Sequence, residues 1–325
     1  GRYYFMMKVG SLFSGVGGLD LGFERQGFPI SWACDKEKHC RTILAKHFPK
    51  AKIYDDVCTI DPAKVDPVDI VIGGFPCQDL SVAGGRKGLS GERSGLFYEF
   101  IRIVRDMPTR PSFVVVENVP GMLTSNNGRD FAVVLNEMVR EWSPKSIAWR
   151  TLDSRYFGVP QKRERVFIIA DLRGERASEI LDLKTDMRGD IRERSKKGKH
   201  FVSTFSQLFD EYVEEYPQAV RKSRKAQTSH DFETWIKTDY ANTLNLFDIG
   251  QRSSVLVIEN KDVTRILTPI EWERLQGFPD NWTEGLTDRQ RCNQMGNAVT
   301  VNVAEWIAER IYKVAGVVAE PLYRP

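Results

Sequence analysis

From Lys8 to Asp171 the chain alternates short apolar runs with stretches whose apolar residues recur every three or four positions, and few architectures satisfy that alternation. Lys8 to Phe13, Ile30 to Cys34, Ile70 to Gly73, Phe113 to Val116 and Val166 to Ala170 are short, rich in Val, Ile and Phe, and bounded by Gly, Pro or Asp, as strands are. Between them Leu19 to Gln26, Lys38 to Phe48, Leu96 to Met107 and Phe131 to Trp142 carry helical periodicity. Strands alternating with helices predict an α/β fold in which a parallel sheet is covered on both faces.

After Asp171 the alternation stops, and the text is irregular and charged to about Val263. A second, smaller and irregular domain is expected there, since 325 residues at roughly 150 per domain suggest two. Thr268, Pro269 and Glu271 form a helix start, with Thr268 as N-cap, and Val299 to Val314 reads as a helix returning to the first domain. The domains are therefore placed at 7–171 plus 288–325 and at 172–287. Gly1 to Met6, ahead of Met7, read as a cloning remnant outside the fold.

Hydrophobic residues at 41% and charged residues at 28% exclude a disordered or collagen-like chain. No apolar run approaches the ~18 residues of a membrane span, and the start lacks a signal-peptide pattern. Cys34, Cys40, Cys58, Cys77 and Cys292 are an odd set without a C-x-x-C pair, which predicts a reducing compartment and no structural metal. The net charge of +3 is too even to argue for nucleic acid. Its distribution is less even. Arg188, Arg192, Arg194, Lys196, Lys197 and Lys199 crowd one stretch and Arg221, Lys222, Arg224 and Lys225 another, a pattern that a solvated surface also gives.

Four places carry chemistry. The first apolar run ends in Phe13-Ser14-Gly15-Val16-Gly17-Gly18-Leu19-Asp20, where glycines allow a tight turn and close approach of a ligand to a helix N-terminus. The sixth position of a dinucleotide fingerprint is Asp20 here, which disfavours a nicotinamide site. Asp35 ends the second run where a ribose acceptor would sit, followed by Lys36, and Asp56 stands at the rim where a purine amino group is readable. Each Asp alone reads equally as a helix cap; together they favour an adenosine-containing ligand.

Gly74-Phe75-Pro76-Cys77-Gln78 places a thiol at the carboxyl end of a strand, with no histidine nearby for a Cys-His pair. Glu117, at the end of Phe113 to Val116, is either a buried acid with a raised pKa or a solvent-facing turn residue. In Gln161-Lys162-Arg163-Glu164-Arg165 the alternate residues Arg163 and Arg165 are expected to point the same way, as a clamp on phosphate or a carbonyl oxygen.

In order and spacing these motifs resemble the prokaryotic-type DNA (cytosine-5)-methyltransferases: F-S-G-V-G-G-L-D, G-F-P-C-Q, R-S-G-L-F, E-N-V, Q-K-R-E-R, Arg265-Ile266-Leu267-Thr268-Pro269 with Gln276-Gly277-Phe278-Pro279, and Gln294-Met295-Gly296-Asn297-Ala298-Val299. The resemblance implies a Rossmann-like S-adenosylmethionine-dependent domain with a small target-recognition domain. It assigns the cofactor to Phe13, Ser14, Gly15, Gly17, Gly18, Leu19, Asp35, Lys36, Asp56, Val57, Pro76, Leu96, Asn297 and Val299, with S-adenosylhomocysteine as product. Asp35 replaces the more usual glutamate. Cys77 matches the nucleophile, Glu117 the acid at the pyrimidine N3, and Arg163 and Arg165 the pair at O2 and phosphate. Gln78, Ser81 and Arg93 match a loop that closes over DNA, while Arg221, Arg224, Thr243 and Arg252 are candidates for DNA contact in the recognition domain.

The implied partner is double-stranded DNA, with a cognate restriction endonuclease as a functional partner. The implied setting is a monomer in the cytoplasm of a prokaryotic or phage-infected cell, in restriction-modification, phage self-protection or an orphan role. Two alternatives stand beside it. A related tRNA methyltransferase would carry Cys-Phe-Thr in its substrate region, which is absent between Asp171 and Val263. A non-catalytic DNA-binding regulator would have no use for the Cys77, Glu117 and Arg165 set.

Overall fold

The computed structural model describes residues 6–76, 95–183, 218–224, 234–238, 240–244, 255–260 and 263–316. The chain divides into two compact units, Gly1–Leu152 with Arg165–Thr185 and Ala304–Pro325, and Asp153–Glu164 with Asp186–Val303.

The first unit is built on seven strands: β1 (Val9–Leu12), β2 (Ile30–Cys34), β3 (Lys52–Tyr54), β4 (Ile70–Gly73), β5 (Phe113–Asn118), β6 (Ser146–Asp153) and β7 (Glu164–Asp171). Their order is β3-β2-β1-β4-β5-β7-β6. From β3 to β5 neighbours run parallel, whereas β7 runs antiparallel to β5. The apolar runs are continuous because both faces are covered: Val9, Ile70, Val71, Ile72, Phe113, Val114 and Val115 are all fully buried. The covering helices include α1 (Gly18–Arg25), α2 (Lys38–His47), α3 (Leu96–Asp106) and α4 (Arg129–Trp142). A short helix, α5 (Ala177–Ile180), follows β7. Gly10 is required by packing, since a Cβ there would lie 2.1 Å from the buried Trp32 ring.

The chain leaves β1 toward β2 on one side and enters β4 on the other, so the sheet's switch point lies between β1 and β4. Open α/β sheets bind ligands in the crevice at that point, outside the carboxyl ends of the strands. The Gly-rich turn after β1 and the Gly74–Phe75–Pro76 turn after β4 both stand there.

In the second unit the stretch that reads as irregular holds, among the described residues, an antiparallel sheet ordered β11-β10-β8-β9. Its strands are β8 (Gln218–Arg224), β9 (Thr234–Lys237), β10 (Val255–Asn260) and β11 (Val263–Arg265). Two helices follow, α6 (Pro269–Leu275) and α7 (Asp288–Asn297), each opened by a capping box, from Thr268 with Glu271 and from Thr287 with Gln290. The last helix among the described residues is α8 (Val301–Ala315). From Ala304 onward it packs on α1, where Gly22 leaves room for Ala304 and Glu305 accepts from Arg25 and Gln26. Among the described residues no helix is long and apolar enough to cross a membrane.

Candidate active site

The turn after β1 is held by backbone. Ser14 N–H donates to the Cys34 carbonyl at 3.0 Å, and Gly17 N–H to the Ser14 carbonyl at 2.9 Å. Gly17 has φ +87°, and a Cβ there would lie 2.8 Å from the Phe48 ring, so both conformation and space demand glycine. Asp35, one residue past β2, accepts from Gly15 N–H through Oδ2 at 2.8 Å and from Glu37 N–H through Oδ1 at 2.9 Å. Burial pushes its pKa up, against these two bonds. Phe13 also has positive φ, +55°, and its ring lies nearly parallel to Phe100 at 6.5 Å.

The far rim is organised likewise. Asp56 caps the short turn Val57–Thr59 by accepting from Cys58 N–H at 2.9 Å, and this bond holds its pKa below the ordinary value. Val57 is buried, and its carbonyl accepts from Arg102 at 3.2 Å. Lys36 is exposed. Leu96 opens α3 after Gly95, whose φ is +149°. The turn from Ser14 to Leu19 thus leaves an approach that side chains would fill, with an acid and a flat ring beside it.

Beside the β4 turn lies a charged centre. Gly74 passes so close to Glu117 that a Cβ would meet its Oε2 at 2.8 Å and its carbonyl oxygen at 3.2 Å. Asn118 is buried; its Nδ2 donates to the Phe75 carbonyl at 3.1 Å, while its Oδ1 accepts from Val119 N–H at 2.9 Å. Phe75 is wedged against Phe97, ring to ring at 4.9 Å, and Pro76 is exposed. Arg165 Nε stands 3.0 Å from Glu117 Oε1, with both side chains mostly buried. Register explains the pair. Glu117 is opposite Phe167, so Arg165, two residues before Phe167, shares a sheet face with Glu117 on the diagonal, within reach of a long side chain.

Arg163 lies in the second unit, engaged with backbone: its guanidinium donates to the carbonyls of Ala298 (2.8 Å), Gly296 (3.1 Å) and Leu244 (3.5 Å). The structure thus gives Arg163 backbone partners, and Arg165 the Glu117 carboxylate. Arg163 stands one residue before β7, and the open carbonyls at the end of α7 attract its cation. Those bonds hold the turn containing the exposed Asn297 and the half-buried Val299. Thr243 donates through Oγ1 to the Lys162 carbonyl at 2.6 Å.

Arg221, a candidate for DNA contact, donates through its terminal nitrogens to Tyr240 and Asn242. Arg224 ends β8. Cys77, Gln78, Ser81, Arg93 and Arg252 lie outside the described residues. Among the described residues no three or more His, Cys, Asp and Glu side chains group as a metal site. Asn118 and Arg102 were not singled out in the sequence. The signal for Asn118 was its place directly after an acid at a strand end; Arg102 had none, as one of two arginines on an amphipathic helix.

Comparison with known proteins adds independent weight. Residues 7–313 match the profile of the C-5 cytosine-specific DNA methylases. The chain is 33% identical to type II methyltransferase M2.BsuMI of Bacillus subtilis, over 97% of this chain and 77% of that protein. It is 30% identical to type II methyltransferase M.Bsp6I of a Bacillus species, over 95% and 99%. In fold it resembles the Dnmt2 methyltransferase of S. pombe, at 16% identity and a TM-score of 0.66 over 95% of this chain and 99% of that one. It also resembles the methyltransferase EhMeth of Entamoeba histolytica, at 19% identity and 0.65 over 96% and 99%.

Proposed function

Because the chain belongs to the C-5 cytosine-specific DNA methylase family, we propose that it methylates carbon 5 of a cytosine flipped out of double-stranded DNA, through a covalent adduct between Cys77 and carbon 6. The observation that carries this reading is the Glu117–Arg165 pair beside the turn that leads into Cys77.

Carbon 5 of cytosine is a weak nucleophile. Bond formation between the Cys77 thiolate and carbon 6 pushes electron density onto carbon 5, and Glu117, at N3 of the base, stabilises the added proton there. Arg165, already bound to Glu117, orients that carboxyl and donates to the O2 edge. When the proton on carbon 5 leaves, the pair of electrons returns to the ring and expels the Cys77 thiolate. The base must first leave the stack, which costs a few kcal/mol. Phosphate contacts offset this cost, so DNA affinity falls steeply with salt.

The methyl donor is S-adenosylmethionine, supplying an electrophilic methyl group when bound. The glycine turn and the acid fit it: Gly15 faces open space and admits close approach, Gly17 lets the turn close against the Phe48 ring, Phe13 offers a flat apolar face, and Asp35 and Asp56 supply acceptors at two positions of an adenosine. Lys36, Val57, Pro76 and Leu96 complete the cofactor set, with Asn297 and Val299 added. The second unit reads the target, with Arg224, Thr243 and Arg252 as contacts. Gln78, Ser81 and Arg93 close over the DNA. The chain acts as a cytoplasmic monomer, in restriction-modification beside a cognate endonuclease, in phage self-protection or as an orphan methyltransferase.

The test is base-resolution bisulfite sequencing of plasmid from a methylation-deficient host expressing the chain, beside a Cys77→Ser control. Methylcytosine in one short motif, from the wild type alone, is the expected result. No methylcytosine from folded, cofactor-binding protein would overturn the reading and redirect the search to tRNA.

A further inference from the structure

Two guanidinium groups lie against the ring of Tyr240: those of Arg155 and Arg221 each have their central carbon 4.9 Å from its centroid. Arg155 is neutralised by Asp153, with Nε to Oδ2 at 2.9 Å. Arg221 reaches further, donating to Tyr240 Oη at 3.2 Å and to Asn242 Oδ1 at 3.5 Å, while Asn242 Nδ2 donates to the Lys222 carbonyl at 3.1 Å. In the small sheet Arg221 is opposite Val255, on the face that buries Ala219 and Val257. Lys222 takes the other face, against the Trp235 ring.

Tyr240 begins a segment fastened along Pro160, Gln161 and Lys162. Ala241 N–H donates to the Pro160 carbonyl at 2.7 Å, and Lys162 N–H to the Ala241 carbonyl at 2.8 Å. The segment carries half-exposed Asn242 and Thr243 next to exposed Lys162; their bonds to Arg221 and to the Lys222 and Lys162 carbonyls fix the two polar side chains, whose second amide hydrogen and remaining oxygen lone pairs lie beside a cation along one edge. Such an edge suits the donor and acceptor pattern and the phosphates of a DNA groove. Backbone bonds fix one side of it, and the ring with its two arginines fixes the other.

Resting on the reading that this unit contacts target DNA, we propose that Arg155, Tyr240 and Arg221 are positioning residues that set the pose of 241–244, and thereby how sharply the enzyme separates its own site from sequences one base pair away. Arg221 acts through Tyr240 and Asn242 and not by touching phosphate.

The experiment measures competitive binding of short duplexes carrying the site found by bisulfite sequencing, or each single-base-pair change of it, to wild type, Arg221→Ala, Arg221→Lys, Tyr240→Ala and Tyr240→Phe. Binding is read without turnover, and cofactor affinity reports folding. Arg221→Ala and Tyr240→Ala are expected to lose roughly tenfold of the preference for the true site, about the cost of one mismatch. Their salt dependence stays that of the wild type. Tyr240→Phe, which keeps the ring, retains the preference. Should the alanine variants fail to fold, Arg221→Lys decides: it keeps the charge but not the planar group, so its preference is expected to fall. A salt slope reduced by about one in Arg221→Ala, with preference intact, would instead make Arg221 a phosphate contact. Equal weakening at every sequence, or undiminished preference in Arg221→Lys, also overturns the proposal. A wild type that binds all duplexes alike fails the DNA-reading premise before any substitution and removes the proposal with it.

Discussion

Arg165 holds Nε 3.0 Å from Oε1 of Glu117, with only 15% and 13% of the two side chains exposed. Removing one partner of such a pair leaves an uncompensated charge, a loss of roughly 3–5 kcal/mol in buried cases. Arg165→Ala is therefore expected to lower unfolding stability in urea and to abolish measurable methyl transfer. Arg165→Lys keeps the charge without the planar fork, and should recover much of the stability but little of the rate. Full turnover in the lysine variant would show that the guanidinium geometry is dispensable.

Asn118 is the strut between the end of β5 and the turn at Phe75. Asn118→Ala removes a donor from a buried carbonyl, a cost of about 1–3 kcal/mol. Since that turn leads to Cys77, single-turnover rate is expected to fall more than the melting temperature would suggest. A variant with a lowered melting temperature and wild-type single-turnover rate would separate the strut from the chemistry.

Asp35 uses both carboxylate oxygens to fix Gly15 and the start of α2. Asp35→Ala is expected to weaken S-adenosylmethionine binding, titrated calorimetrically, by one to two orders of magnitude, roughly 1.4 kcal/mol for each. Affinity for DNA should be unaffected. Equal loss of both affinities would point to a general collapse of the unit.

Asp20, in the first turn of α1, is fully buried, and burial raises its pKa from 3.8 to about 7. Between these values the folded chain holds a proton that the unfolded chain has released, so stability falls as pH rises through this window and levels off above about 7. Asp20→Asn removes the cost of the buried charge. The variant is expected to melt higher than wild type near pH 8, the difference shrinking toward pH 4. A pH-independent difference would assign the effect to packing.

The strands most legible in the sequence are those whose middles are buried on both faces: β1, β2, β4, β5 and β7 each carry a short, mainly apolar run. The antiparallel direction of β7 was not legible, because an apolar run carries no sign of direction. Lys52–Tyr54 is too short to register, and Ser146–Asp153 mixes Arg150 and Thr151 with Ile147 and Trp149 because it closes the sheet edge. Gln218–Arg224 hid behind its charges. In the site, Glu117 and Asp35 were legible because chemistry and position mark them, whereas Phe13 gained a role only through the family resemblance. For Arg163 and Arg221 the partners inside the fold were not legible, because what a cation meets depends on distant carbonyls, at Ala298, and rings, at Tyr240, that local spacing does not encode.

The reversed direction of β7 makes the beginning of one strand meet the end of another, and so turns the interval from Arg165 to Phe167 into a ruler. Inserting one residue within that interval would rotate the guanidinium to the opposite side of the sheet, because side chains alternate with a period of two. The same insertion after Asp171 would leave the alignment with Glu117 intact. The count of residues from Arg165 to Phe167 is therefore as much a part of the Glu117 pair as the guanidinium itself.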